Sequence, residues 1–332
     1  MNRRIYTILI IILMFSMPYT YGGCVLVFSS GDVKRDKDSK DDESATVFTG
    51  STSTAVIDST NAKDLAGGAF GGGMTRVEAE SAGYDEDLSV TQIGAFWPLR
   101  LPMVLKDSLQ KAEITGPAAA LYKPAVETRS GTILGSCGGN LSYLIDIISE
   151  SRTFNGSFRF ENYCDHGITI SGEMDFDGTY GIDSGDIRTA HFSFTDLADG
   201  EITLDGDMSL DFLHSPTMVT LSAYSKDIGS GQVYWIKDYA MNIAEFAGYI
   251  EIEIFGAFYH PDHGYVNLTT TEPFIVHHED DWPTSGLLGI EGHKNTQAEL
   301  TALNQLSYSV AADTDGNGVF DWDSRILNWM DR

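Results

Sequence analysis

"GITISGEMDFDG", Gly167–Gly178, decides the fold class. Ile168, Ile170, Met174 and Phe176 fall on one side of an extended chain, and Thr169, Ser171, Glu173, Asp175 and Asp177 on the other. A period of two is a strand, and one apolar face backed by one wet face is the antiparallel habit. The pattern returns in "EITLDGDMSLDF" (201–212), where Ile202, Leu204, Met208, Leu210 and Phe212 oppose Thr203, Asp205, Asp207, Ser209 and Asp211. It returns again in "GYIEIEIFGAF" (248–258). Turn chemistry, "DHG", "ADG" and "PDHG", separates such runs. The expectation from Gly131 to the C-terminus is a mainly β domain. Its antiparallel meander of long hairpins forms a barrel, half-barrel or sandwich.

Part of this pattern repeats. "FENYCDHGITISGEMDF" (160–176) and "FTDLADGEITLDGDMSL" (194–210) share an aromatic, a turn Gly, a β-branched run and a later Gly-x-Met, with a weaker echo at 244–258. Gly172, Gly206 and Gly256 sit inside strands, where glycine marks a bend or the close approach of another backbone. Duplication and plain hairpin grammar both account for the repeat. Alternation of this length also suits a transmembrane β-barrel. The chain ends "NWMDR", without the terminal aromatic such barrels carry, and the reading taken is a sheet with one face in water.

Residues 46–130 read differently. Ala55–Ile57 is a short strand and Ser59 a helix cap. Ala62, Leu65, Ala66, Ala69 and Phe70 then lie on one helical face, stopped by Gly71-Gly72-Gly73. A second short helix is predicted from Pro102 through Leu105 and Leu109 to Ala112, and 117–130 as a connection.

The N-terminus speaks of address. Arg3 and Arg4 precede an apolar run, Ile5–Phe15, of 11 residues. That is short of the roughly 20 a spanning helix needs and suits a signal peptide over residues 1–23. Gly22-Gly23-Cys24 resembles the lipobox of bacterial lipoproteins, with Tyr21 departing from the usual Leu or Val. The resemblance implies that Cys24 carries a lipid and is the first mature residue. Val25 after the cysteine resembles an outer-membrane destination. Residues 24–45, with "GDVKRDKDSKDDE" at 31–43, hold too little apolar surface to fold and read as a disordered tether. The membrane is thus a partner through an N-terminal lipid anchor.

Charge narrows the other partners. The first 23 residues hold two of the 21 basic residues and no acid, so the exported chain sets 19 bases against 48 acids, a formal −29. Nucleic acid, bound through Lys and Arg on phosphates, is not expected. Cation binding is favoured. With Cys24 lipidated, Cys137 and Cys164 remain as a disulfide pair for an oxidising compartment. The competing reading is a Cys137 nucleophile in "GSCGG" with His166 as base.

The most specific chemical pattern is "ADTDGNGVFDWD". Asp313, Asp315, Asn317, Gly318 and Asp321 occupy positions 1, 3, 5, 6 and 9 of an EF-hand-like loop, and Val319 offers a carbonyl. Calcium, in a structural role, is the expected cofactor. Ser324 stands where such a loop places a bidentate Glu. The alternative is hairpin chemistry, since Asp-Gly and Asn-Gly are favoured turn dipeptides. "YHPDHGY" and "VHHEDDW" supply His260, Asp262, His263, His277 and His278, read as solvated turn and surface side chains rather than a metal site. Nucleophile-elbow, zinc-protease, P-loop and dinucleotide motifs do not occur in the sequence.

"GSCGGNLSYLIDI", "FENYCDHGITISGEMDF", "DWPTSGLLGIEGHKNTQAELTAL" and "VAADTDGNGVFDWDSRILNW" together resemble a group of uncharacterised exported bacterial lipoproteins, over most of 130–332. The resemblance implies fold and location and carries no activity. The function expected is therefore a non-catalytic cell-envelope binding or structural module. A second reading is a carrier holding a lipid or other amphiphile against Ile170, Met174, Leu204, Met208, Ile252 and Phe258. A third is a polysaccharide-active enzyme with Trp235 and Trp282 as an aromatic platform beside paired carboxylates.

Overall fold

Among the described residues fourteen strands follow one another across a single sheet, each hydrogen-bonded to its neighbour in sequence. The computed structural model describes residues 46–72, 97–112, 114, 126–181 and 186–329. The signal segment, Cys24 and the tether lie outside the described residues. The strands are β1 (Val126–Leu134), β2 (Gly138–Ile148), β3 (Thr153–Asp165), β4 (Ile168–Tyr180), β5 (Ile187–Ala198), β6 (Ile202–Asp211) and β7 (Thr217–Asp227). They continue as β8 (Val233–Glu245), β9 (Tyr249–His260), β10 (Gly264–His277), β11 (Ser285–Glu291), β12 (Gln297–Asn304) and β13 (Ser307–Asp313). Two short pieces, β14 (Trp322–Asp323) and β15 (Leu327–Asn328), both pair with β13. Every ladder is antiparallel and the ends of the sheet do not pair with each other, so the meander forms an open, curled sheet.

The alternation read at 167–178 is the burial seen in β4. Ile168, Ile170, Met174 and Phe176 are buried, and Thr169, Glu173, Asp175 and Asp177 are exposed. A sheet of more than about ten strands curls or splits to cover its apolar face. Here it curls around α1 (Ala62–Gly71) and α2 (Trp97–Lys111). Leu65, Ala66, Ala69 and Phe70 of α1, and Leu101, Val104, Leu105 and Leu109 of α2, are buried in one core with the inner faces of the strands. Arg100 of α2 records how far the curl goes. Its guanidinium donates to His166 O (2.6 Å) in the β3–β4 turn and to Asp281 O (2.7 Å) in the β10–β11 turn.

The curl has a repeated cause, and it explains the internal repeat. Asn162 on β3, Asp196 on β5 and Asp238 on β8 have φ of 47°, 52° and 50°, and each sits in a β-bulge. Each bulge lies beside a strand glycine on the next strand, Gly172, Gly206 and Gly256 respectively. The N–H of each bulged residue is taken by a side chain: Ser171 Oγ (3.1 Å), Asp205 Oδ1 (2.7 Å) and Ser222 Oγ (3.1 Å). Bulges bend a strand and increase its twist. In 160–176 and 194–210 the Asn or Asp and the later Ser-Gly or Asp-Gly are thus the two halves of one bending device, whereas at Gly256 the acceptor comes from Ser222 of β7.

Several boundaries differ from expectation. Asn61, not Ser59, precedes α1, and Asp58 holds the turn by accepting the N–H groups of Thr60 (2.7 Å) and Asn61 (3.2 Å). The helix stops at Gly72, whose φ of 76° is left-handed, as a glycine stop predicts. α2 begins at Trp97, with Pro102 inside it rather than at its start. Residues 126–130 are the first half of β1, not a connection. No residue of β1 is buried, so it lacks the alternation that betrays the other strands. The helices share one compact unit with the sheet.

Candidate functional site

The acidic loop joins β13 to β14. Asp313 ends β13 with its side chain fully buried, and it organises the loop. Oδ1 accepts the N–H groups of Gly316 (2.8 Å) and Asn317 (3.2 Å), and Oδ2 that of Gly318 (2.7 Å). Burial opposes ionisation, yet these donors hold its pKa below the usual carboxylate value. Gly316 and Gly318, at φ of 74° and 85°, make the reversals that aim those donors inward. Asp321 accepts Thr314 N–H (2.9 Å) and Oγ1–H (2.8 Å), Asp315 accepts Asn317 Nδ2–H (2.9 Å), and Asn317 Oδ1 accepts Val319 N–H (2.8 Å). Asp315, Asn317, Val319 and Asp321 are exposed. Among the described residues no group of three or more His, Cys, Asp or Glu side chains is placed to hold a metal ion.

Cys137 and Cys164 form a disulfide with Cα atoms 5.1 Å apart. Closing this 27-residue separation contributes about 3.5 kcal/mol in the chain-entropy account. Beside it lies a half-buried polar knot. Asp165 accepts from Lys111 Nζ (2.6 Å), Ser136 Oγ (2.7 Å) and Tyr163 OH (3.0 Å). Burial alone would raise the Asp165 pKa, but the Lys111 ammonium and the two hydroxyls outweigh it and hold it at about 2. His166, the base of the thiol reading, instead meets Asp107 Oδ2 at 2.7 Å, and both sulfurs are spent in the bridge. The knot fastens the end of α2 to the β3–β4 turn.

The segment 46–57 runs over the β9–β10 turn, its first part as a strap. Ser51 N–H donates to Pro261 O (3.3 Å), Tyr265 N–H to Ser53 O (2.9 Å) and Ala55 N–H to Tyr265 O (2.8 Å). Phe48 lies against Trp235 and Tyr259, at ring separations of 6.1 and 5.9 Å. Beneath it, Tyr224, Trp235, Tyr259 and Tyr265 stand in register across β7, β8, β9 and β10. Their successive ring separations are 5.7, 4.5 and 4.9 Å, with interplanar angles of 34°, 32° and 26°. These spacings approach the roughly 4.8 Å between strands, so the rings stack on one another. Their faces are used within the sheet, whereas a sugar platform lays ring faces toward solvent. Trp282 is only 6% exposed and stacks on Trp329 at 5.3 Å. Neither tryptophan of the polysaccharide reading offers a free face.

The turn also corrects the reading of the histidines. His277 and His278 are exposed, but His260 is buried, stacked 4.4 Å from the His263 ring and edge-on to Tyr234 at 5.3 Å. Its Nδ1 accepts Asp262 N–H (3.1 Å). The sequence showed a Pro-containing turn and hid the strap and α1 that cover it.

A trough of about 440 Å³ on the wet face of β2–β5 is lined by Asp146, Asn155, Asp175, Asp177, His191 and Ser193 among others. A second of about 380 Å³, between α2 and the ends of β5 and β6, is lined by Leu109, Ile114, Ile187 and Phe212, with Lys106 and Asp186 among its polar groups. The six residues of the carrier reading line neither. Ile170, Met174, Leu204, Met208, Ile252 and Phe258 are at most 3% exposed and belong to the continuous core.

No protein-family model matches the chain, and no curated protein or solved structure matches it.

Proposed function

We propose that the chain is a non-catalytic module of the cell envelope, exported and held to the membrane by a lipid on Cys24. The observation that carries the reading is the Cys137–Cys164 disulfide at the mouth of the β2–β3 hairpin, because such bridges persist in oxidising compartments. The signal-like first 23 residues and the charged stretch to residue 45 support the same address. A core of densely packed strands suits a structural or binding role on its outer surface better than a carrier role inside. Cys24→Ala is expected to lose acyl labelling and move from the membrane fraction to the soluble fraction. A wild-type protein that is unlabelled and soluble would overturn the anchor.

The acidic loop is read as a weak, structural calcium site of this module. A carboxylate offers about four lone-pair positions, and Asp313 spends its own on three backbone N–H groups and the Gln297 side chain, so it organises the loop rather than binding the ion. The exposed Asp315, Asn317 and Asp321 and the Val319 carbonyl would supply the oxygens. Without a bidentate Glu the affinity falls in the range of about 10⁻⁴–10⁻³ M. Near-millimolar calcium then stabilises the domain by about 0.4–1.4 kcal/mol. The expected result is a small calcium-dependent rise in Tm that Asp315→Ala abolishes. Asp315 is the right position to change, since Asp313→Ala would also undo the loop's backbone bonds. A Tm indifferent to calcium and chelator leaves only the turn.

A further inference from the structure

We propose that residues 46–54 are an acid-released strap, held on the β9–β10 turn while the His260 imidazole is neutral. The turn seats the first part of the segment 46–57, whereas Ala55 O and Ile57 N–H, both on buried residues, are held elsewhere by His293 N–H (2.6 Å) and Thr296 Oγ1 (2.9 Å). Pro261 O, Tyr265 N–H and Tyr265 O bond to Ser51, Ser53 and the amide that follows Thr54, and a Cβ built on Gly264 would come within 2.2 Å of Ser53 O. Inside that turn His260 Nδ1 takes the Asp262 N–H at 3.1 Å, while Gln232 Nε2–H holds the Asp262 side chain at 2.9 Å from outside it. A protonated imidazole has two donors and no acceptor. Protonation therefore breaks this bond in the middle of the strap's seat. It also places a charge beside the stacked His263 ring, 4.4 Å away.

The charged and titratable groups around the pair come from four elements. His263 and Asp262 lie on the turn itself, Tyr234 on β8, Asp58 in the turn before α1, and Lys63 and Asp64 on α1. Burial first, and the His263 charge second, lower the His260 pKa from 6.5 to about 4, against the opposing pull of Asp262. Half-burial raises the pKa of Asp64, so acid removes a countercharge of His263 early. The sign follows from linkage. A histidine with a depressed pKa in the closed state favours closure above about pH 6.5, and this is lost as pH falls toward about 4.

Release would lengthen the link between the sheet and the chain that precedes Thr46. It would also uncover Trp235 and Tyr259, which Phe48 now covers. Nine residues of extended chain reach at most about 30 Å.

Hydrogen exchange of the full-length protein, read by mass spectrometry and corrected for intrinsic rates, tests this. Amides of 51–55 are expected to open about tenfold more per pH unit between roughly pH 6 and 4, while β12–β13 amides stay protected. His260→Asn places an amide oxygen near the Nδ1 position and does not titrate, so its strap is expected to stay closed at pH 4. His263→Gln removes the neighbouring charge and is expected to move release to higher pH. Opening of 51–55 together with β12–β13, the same acid response in His260→Asn, or no shift in His263→Gln would each overturn the proposal.

Discussion

Trp329→Ala is expected to destabilise the protein by about 3–5 kcal/mol, the range for truncating a buried large aromatic. Trp329 is fully buried, although only three residues follow it in the sequence. Its ring stacks on Tyr308 at 4.4 Å and on Trp282 at 5.3 Å, and lies 5.1 Å from Phe70 of α1. Nε1–H donates to Asn304 O at 3.0 Å, so the indole keeps its one donor paired. One side chain thus ties the C-terminus, the β12–β13 turn, the β10–β11 turn and the first helix. At about 2 °C per kcal/mol for a large domain, Tm is expected to fall by roughly 8 °C. Trp329→Phe keeps the stacking and loses the hydrogen bond, and should recover most of the loss. A truncation costing under about 1 kcal/mol, a surface-like value, would show that the C-terminus is not docked in solution.

That cluster was not legible in the sequence. Trp282 and Trp329 stand 47 positions apart, and nothing in either neighbourhood names the other. Alternation along β4, β6 and β9 was legible because a buried face and a wet face print themselves at period two. β1 was not, because "VETRSGTIL" at the edge buries neither face. Pro102 read as a helix start, but Leu101, Val104 and Leu105 are buried on a helix that begins earlier, and packing outweighed the lost N–H. Of the candidate site, the acidic loop's turn chemistry could be read from its spacing. The strap's seat could not, since the partners of residues 51–55 lie more than 200 positions away.

Gly256→Val is expected to cost about 4 kcal/mol, although the change adds apolar surface to an apolar strand. The position has a φ of 130°, a conformation that a β-branched residue resists at a cost of about 1–3 kcal/mol. A Cβ built there would meet Asp238 O at 2.7 Å and Tyr239 Cα at 2.8 Å. Both are backbone atoms and cannot rotate aside, so β8 itself must move, an overpacking cost of about 1–3 kcal/mol. The movement cannot stay local. Tyr239 is fully buried and its hydroxyl donates to Ala69 O at 3.2 Å, which couples the bulge to α1. Gly289→Ala is the control: its φ is not left-handed, its nearest Cβ contact is 3.3 Å, and its expected cost is under about 1 kcal/mol. Urea unfolding should show a lower midpoint at unchanged slope for Gly256→Val. Equal midpoints for the two variants would mean that the bulge opposite Gly256 is free to relax. The bending of the sheet would then have to come from twist alone rather than from the repeated pairing of a bulge with a glycine.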